Sequence, residues 1–123
     1  MDKKLKILVV DDSSVMRKGI IELLNGGIPA EYVEAVDGNE AVNLYKKEKP
    51  DLVTMDINMP ECDGMEALTS IMNIDKGAKI VMLTTEAEKE KIIEAVSIGA
   101  KSYIIKPINK ERAIEKIRNV LGL

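Results

Sequence analysis

The stretch Lys-Ile-Leu-Val-Val-Asp-Asp at residues 6–12 decides how this sequence is expected to fold. Four consecutive apolar residues precede two carboxylates, and a second uninterrupted run, Ile-Val-Met-Leu, lies at residues 80–83. Strands that are buried on both faces show such continuous runs, whereas strands with one solvated face alternate between apolar and polar residues. Both runs therefore predict strands of a parallel sheet that is covered on its two sides.

Outward from these runs, short apolar segments alternate with longer segments of helical periodicity. The predicted strands are Lys6–Val10, Tyr32–Val36, Asp51–Met55, Lys79–Thr84 and Ser102–Ile105. The predicted helices are Ser14–Asn25, Asn39–Glu48, Met65–Asn73, Ala87–Ile98 and Lys110–Leu121. Strict alternation of strand and helix predicts an α/β fold, in which a five-stranded parallel sheet carries helices on both faces. We expect residues 1–123 to form a single domain of this class.

The composition narrows the possible functions. A hydrophobic fraction of 46% and a charged fraction of 32% fit a globular domain, and a net charge of −3 gives no general affinity for nucleic acid or anionic lipid. No apolar stretch approaches the roughly 18 residues of a membrane span, so we expect a cytoplasmic protein. The absence of histidine and the single cysteine, Cys62, exclude imidazole metal ligands, Ser-His-Asp triads and an internal disulfide.

Polar residues stand where four of the predicted strands end. Asp11 and Asp12 follow the first strand, Asp56 the third, Thr84 closes the fourth and Lys106 follows the fifth. Each alone has a simpler explanation, because Asp and Thr start helices and Lys-Pro forms turns. In doubly wound sheets, however, the ligand site lies at the carboxyl ends of the strands. The five residues together therefore predict a site.

Three carboxylates at one edge of a sheet repel one another, which predicts a bound cation. An all-oxygen ligand set favours Mg²⁺ or a close substitute such as Mn²⁺. Mg²⁺ usually engages few carboxylates together with a phosphate oxygen, and a carboxylate can act as a nucleophile on phosphorus. The Lys106 ammonium and the Thr84 hydroxyl would then stabilise the phosphoryl charge.

These motifs resemble the signature of response-regulator receiver domains, in particular the stand-alone chemotaxis (CheY) type. The matching segments are Asp11-Asp12, Met-Asp-Ile-Asn-Met-Pro at residues 55–60 with Asp63-Gly64, Thr84, and Lys106-Pro107. The similarity extends from Lys6 to Leu121, in order and in spacing. It implies a flavodoxin-like (CheY-like) doubly wound fold with strand order 2-1-3-4-5.

The resemblance also implies a role for each matching residue. Asp56 would accept the phosphoryl group. Asp11 and Asp12 would hold Mg²⁺, directly or through water, together with Asp56 and the backbone carbonyl of Asn58. Lys106 would pair with the phosphoryl group or the acids, and Thr84 would move to bond a phosphoryl oxygen. The remaining implied roles are a switch aromatic, Tyr103, and two residues that tune dephosphorylation, Asn58 and Glu86. The family's Lys-Pro bond, here Lys106-Pro107, is usually cis.

The implied function is a phosphorylation-dependent switch of a two-component system, which catalyses only its own phosphoryl transfer and self-dephosphorylation. The donor would be a histidine kinase of the chemotaxis type. The sequence ends just after the fifth predicted helix, so we expect the output to be protein binding. We also expect a monomer without a nucleic-acid or membrane partner. The output partner would be a motor switch protein or an adaptor, and a phosphatase is a further candidate. The expected surface is formed by the fourth helix, fifth strand and fifth helix, with candidates Lys91, Glu94, Tyr103 and Lys110.

The sequence alone allows several alternative functions. Ser13 and Ile108 replace residues that are often Phe in relatives, so a relative's binding mode does not transfer simply. Thr85 is bulkier than the Ala common at this position, which would narrow access to the site, but Thr85 and Glu88 also have the spacing of a capping box at the start of the fourth helix. Within the family, a phosphorelay intermediate or a receiver cut from a larger regulator competes with a motility switch. Outside it, a flavodoxin-like redox protein would need phosphate-binding donors where Asp11 and Asp12 stand. A phosphatase with an aspartyl-phosphate intermediate would need a second acid and a cap segment.

Overall fold

The computed structural model describes residues 4–59 and 64–123, apart from the side chain of Glu86. Five strands are present: β1 (Lys6–Val10), β2 (Glu31–Ala35), β3 (Leu52–Asp56), β4 (Ile80–Thr84) and β5 (Ser102–Ile105). The α-helices are α1 (Ser14–Asn25), α2 (Gly38–Glu48), α3 (Gly64–Ile74), α4 (Lys89–Ile98) and α5 (Lys110–Leu121). A 3₁₀ turn, Glu86–Glu88, precedes α4.

The strands form one parallel sheet in the order β2-β1-β3-β4-β5. This confirms the predicted doubly wound α/β fold and its strand order. Alternate residues of each strand point to opposite faces, so Ile7 and Val9 pack with α1 and α5, whereas Leu8 and Val10 pack with α2, α3 and α4. Because both faces are covered, the central strands β3 and β4 are buried along their whole length.

Two predicted strands are shifted by one residue. β3 begins at Leu52 rather than at Asp51, whose carboxylate accepts a hydrogen bond from the Lys6 backbone N–H at 2.9 Å, and it extends to Asp56, which pairs with Leu83 of β4. β2 ends at Ala35 rather than at Val36, whose N–H donates to the Glu40 side chain. Side-chain hydrogen bonds at the strand ends therefore set bounds that hydrophobicity does not reveal.

The predicted fourth helix is the main correction. Residues 86–88 form the 3₁₀ turn, and α-helical geometry starts only at Lys89 instead of at Ala87. The Glu88 carboxylate folds back and accepts a hydrogen bond from the Thr85 backbone N–H at 3.3 Å, as in a capping box. Other helix limits move by one residue: α2 begins at Gly38, and α3 spans Gly64–Ile74.

No helix among the described residues is both long and apolar enough to cross a membrane.

Candidate functional site

The carboxyl ends of β1, β3, β4 and β5 meet at one edge of the sheet, as the sequence predicted. Asp11 and Asp12 follow β1, and Asp56 is the last residue of β3. One carboxylate oxygen from each of the three lies within 4.8 Å of the others. Register explains the clustering: β1 and β3 are paired neighbours in the centre of the sheet.

Asp11 is oriented by its surroundings and carries an unpaired oxygen. Its Oδ1 accepts a hydrogen bond from the Ser13 backbone N–H at 2.9 Å. Its Oδ2 is buried and has no hydrogen-bond partner among residues 4–59 and 64–123. Buried polar atoms are almost always partnered, and a carboxylate oxygen without a partner is costly. This atom therefore points to a ligand that the protein itself does not supply.

Asp56 is also buried, with 7% of its surface exposed. Burial raises the pKa of its carboxyl, and the nearby Asp11 charge raises it further, while Lys106 and the Asn58 N–H act in the opposite direction. The Lys106 ammonium lies 3.4 Å from Asp56 Oδ1, and the Asn58 backbone N–H donates to the same oxygen at 3.3 Å. A single lysine at this distance does not neutralise three carboxylates.

The donor set fits a hard divalent cation. Three carboxylates converge, one buried oxygen lacks a partner, and all the candidate ligand atoms are oxygens. Mg²⁺ favours such ligands. A cation here would satisfy Asp11 Oδ2 and relieve the repulsion between Asp11 and Asp56.

Thr84, the last residue of β4, is buried beside this cluster. Its hydroxyl lies 3.0 Å from Glu88 Oε1 and 3.3 Å from the Thr85 carbonyl oxygen. The Glu88 carboxylate accepts a further hydrogen bond from the Asn58 side-chain amide. Burial alone would raise the pKa of Glu88, but the hydrogen bonds from Asn58, Thr84 and Thr85 outweigh it and hold that pKa below its ordinary value.

Asn58 is exposed and its side chain has two partners. Its amide donates to Glu88, and its carbonyl oxygen accepts from Lys91 at 3.2 Å. Lys91, predicted on the partner surface, is thus also linked to the site.

The backbone of Glu86 starts the 3₁₀ turn, whereas its side chain lies outside the described part of the chain. Pro60 and Asp63 of the predicted signature also lie outside the described residues.

Tyr103 lies on β5 and is partly buried. It packs against the hydrophobic core between the sheet and helices α2, α3 and α4. The Lys116 ammonium lies 4.3 Å from the centre of its ring and donates to the Tyr103 carbonyl oxygen at 2.6 Å. Such a cation–π contact favours the observed position of the ring. Glu94 and Lys110 are exposed, and the Lys106-Pro107 peptide bond is cis.

Sequence reasoning missed two residues that shape the site. Arg17 is buried on α1, where Nη1 donates to the Asp11 carbonyl oxygen at 2.8 Å and Nε pairs with Glu34 at 2.9 Å. The sequence could have indicated this role, because Arg17 is a charged residue on the same helical face as the buried Ile20 and Leu24. Glu88 was recognised only as half of a capping box.

Comparisons with known proteins agree with this geometry. The family model of the response regulator receiver domain matches residues 7–118. The chemotaxis protein CheY of Thermotoga maritima is 40% identical over 115 residues, which cover 94% of this chain and 96% of that protein. The chemotaxis protein CheY of Halobacterium salinarum is 44% identical over 116 residues, with 94% and 96% covered.

Among solved structures, the CheX-CheY-BeF3-Mg²⁺ complex of Borrelia burgdorferi contains a chain that superposes with a TM-score of 0.86 at 31% identity. The match covers 94% of this chain and 88% of that one. These similarities favour neither a flavodoxin-like redox protein nor a phosphatase with an aspartyl-phosphate intermediate. The chain belongs to the family of response regulator receiver domains, the phosphorylation-dependent switches of two-component signalling.

Proposed function

We propose that this chain is a chemotaxis receiver that takes a phosphoryl group from a histidine kinase onto Asp56 and signals by binding a protein partner. One observation carries the proposal: the carboxylates of the buried Asp11 and Asp56 and the exposed Asp12 converge beside the Lys106 ammonium, and one buried oxygen of Asp11 is unpaired. This arrangement suits a dianionic phosphoryl group together with a cation. A structural role alone would leave the unpaired oxygen of Asp11 unexplained.

In the proposed reaction, a carboxylate oxygen of Asp56 attacks phosphorus. The O–P bond forms as the N–P bond of the donor phosphohistidine breaks, and the electron pair leaves with the imidazole nitrogen. Mg²⁺, held by Asp11, Asp12, Asp56 and the Asn58 backbone carbonyl, would supply charge neutralisation. The Lys106 ammonium, now 3.4 Å from Asp56 Oδ1, would pair with the phosphoryl oxygens.

The switch would consist of Thr84 and Tyr103. A phosphoryl oxygen is a strong acceptor, so the Thr84 hydroxyl would turn towards it and leave its present acceptors. Tyr103 packs on the same side of the sheet and would follow this movement. The change would be read at the surface formed by α4, β5 and α5, where Lys91, Glu94 and Lys110 lie.

The chemotaxis assignment rests on relatives that carry that name over almost the whole chain. The partner would be a motor switch protein or an adaptor, and the solved complex of a related CheY with CheX supports recognition through a protein surface. A phosphatase acting on the phosphorylated form belongs to the same proposal. We also propose that residues 1–123 form a single domain and that the protein is cytoplasmic and monomeric.

The direct test combines a small phosphodonor with Mg²⁺ and intact-protein mass spectrometry. We expect a gain of one phosphoryl group that is stable in acid and labile in base, as an acyl phosphate should be. A pull-down would then compare the beryllofluoride-bound and free forms against chemotaxis components. Absence of any mass gain under these conditions would refute the proposal, and equal capture by both forms would refute phosphorylation-dependent output.

The cation site predicts a stabilisation by mass action. Millimolar Mg²⁺ should raise the melting temperature, because the folded chain alone presents the assembled ligands. Asp12→Ala should weaken this response and should raise stability without Mg²⁺ by relieving repulsion. Glu22→Ala, which removes an exposed carboxylate on α1 outside the cluster, serves as the control in the same melting experiment. A wild-type melting temperature that ignores saturating Mg²⁺ would contradict the site.

The lifetime of the phosphoryl group should be tuned by Asn58 and Glu86. Both are polar and neither is a bulky residue type that would shield the phosphorus, so we expect self-dephosphorylation within seconds to a few minutes. Asn58→Lys should lengthen this lifetime severalfold, because an ammonium would cover the phosphoryl group and exclude the attacking water. The substitution leaves the backbone carbonyl proposed as a metal ligand in place.

Single-turnover decay of the labelled protein measures the effect. Asn73→Lys introduces the same change at an exposed position of α3 and should leave the decay rate unaltered. An unmodified protein that keeps its label for many hours with Mg²⁺ present would argue against a motility signal.

A further inference from the structure

Glu88 holds two of the residues that the proposed function requires to act. Its Oε1 lies 3.0 Å from the Thr84 hydroxyl, and its Oε2 accepts the Asn58 side-chain amide. Only 13% of its side chain is exposed, so water competes weakly for these hydrogen bonds. The Thr85 backbone N–H, at 3.3 Å from Oε1, fixes the carboxylate further.

The Thr84 hydroxyl has one hydrogen to donate. In the structure, its acceptors are Glu88 Oε1 and, at the longer distance of 3.3 Å, the Thr85 carbonyl oxygen. A hydrogen bond from a hydroxyl to an ionised carboxylate is among the stronger kinds. The hydroxyl cannot donate to Glu88 and to a phosphoryl oxygen at once, so one bond must break before the other forms.

We propose that Glu88 is a positioning residue that restrains Thr84 and Asn58 in the unphosphorylated conformation and so sets the threshold for switching. The inference rests on the proposed function, in which Thr84 donates to the phosphoryl group. Glu88 and the phosphoryl group then compete as two acceptors for one donor. Their negative charges also repel each other, which favours the release of Glu88 once the phosphoryl group is in place.

The restraint extends from the site to α4 through Lys91. The Lys91 ammonium lies 3.7 Å from Glu88 Oε2 and 3.2 Å from the Asn58 side-chain oxygen. When Glu88 releases Thr84 and Asn58, Lys91 loses its fixed partners. The position of the Lys91 ammonium on α4 therefore changes together with the site.

The test measures the affinity for beryllofluoride, a mimic of the phosphoryl group, at saturating Mg²⁺ by calorimetry. Glu88→Gln keeps the side-chain shape and removes the charge, and Glu88→Ala removes the acceptor altogether. We expect Glu88→Ala to bind about tenfold more tightly than wild type, the size expected for one hydrogen bond to a charged group. Glu88→Gln should show a smaller gain. The control Glu90→Gln, an exposed acid of α4, should match wild type.

The direction of the change separates this role from a merely structural one. Loss of a capping residue would lower stability and weaken binding, whereas loss of a restraint strengthens binding. Affinities of both Glu88 variants equal to or weaker than that of Glu90→Gln would overturn the proposal. Thermal melts of all variants show whether each chain is folded.

A second measurement needs no phosphoryl mimic. Methyl-labelled threonine reports the Thr84 side-chain rotamer by NMR, and we expect Glu88→Ala to redistribute it while Glu90→Gln does not. If wild type fails to bind beryllofluoride, the proposed function is wrong. The restraint is then judged by the Thr84 rotamer, and an unchanged rotamer in Glu88→Ala would disprove it.

Discussion

Asp56→Asn is expected to abolish phosphoryl transfer to this chain, with labelling reduced at least a hundredfold at equal protein concentration. The amide nitrogen and oxygen of Asn are far weaker nucleophiles than a carboxylate, and the variant also loses one of the three converging charges. Asp56 closes β3 between Asp11 and Lys106, so no other described acid occupies an equivalent position. Intact-protein mass spectrometry after treatment with a small phosphodonor and Mg²⁺ measures the loss.

Misfolding should not confound this result. Burial raises the pKa of Asp56, so the folded chain binds a proton there more tightly than the unfolded chain does. The stabilisation from this group is therefore present at low pH and lost as the pH rises through its folded pKa. Asparagine has no charge to bury, and we expect the free energy of unfolding of the variant at neutral pH to be at least that of the wild type.

Two further observations complete the Asp56 experiment. Weak residual labelling at a neighbouring hydroxyl is compatible with the assignment, because the bound phosphodonor would still be positioned beside Lys106. Full labelling of the Asn variant would disprove Asp56 as the acceptor. Asp75→Asn is the matched control, because Asp75 is an exposed acid that lies outside the carboxylate cluster. It follows α3, and its carboxylate accepts a hydrogen bond from the Tyr45 hydroxyl.

Most of the fold could be predicted from the sequence because short apolar segments and segments of helical periodicity alternate along the whole chain. β1, β5, α1 and α5 have the predicted limits residue for residue. The same pattern predicted that Asp11, Asp12, Asp56, Thr84 and Lys106 would gather, since parallel strands deliver their carboxyl ends to one edge. The roles of these residues remain proposals.

What could not be predicted depends on side-chain direction. The spacing of Thr85 and Glu88 indicated a helix start, but not that the Glu88 carboxylate would also reach Thr84 and Asn58. That reach depends on the 3₁₀ geometry of residues 86–88, which hydrophobic periodicity does not encode. Likewise, Lys116 meets Tyr103 only because α5 packs beside β5.

Gly64→Ala is expected to lower the free energy of unfolding by about 3 kcal/mol, at the upper end of the usual range for overpacking. Gly64 is the first residue of α3, and its Cα lies close to the backbone of Asp56 and Ile57 at the carboxyl end of β3. A Cβ at this position would collide with the Asp56 carbonyl oxygen and would lie 2.9 Å from the Ile57 Cα. Both obstacles are backbone atoms of a buried segment, so no change of side-chain rotamer relieves the contact.

The same clash should displace the Asp56 backbone, so the labelling rate of folded Gly64→Ala should also fall. Gly19→Ala is the matched control, because Gly19 is exposed within α1 and an added Cβ meets no atom within 4 Å. That change should instead raise stability by about 0.5–1 kcal/mol, since Gly is disfavoured inside helices. Urea denaturation of the two variants measures both values. If Gly64→Ala proved as stable as Gly19→Ala, the close approach of α3 to the carboxyl end of β3 would not be a constraint on the site.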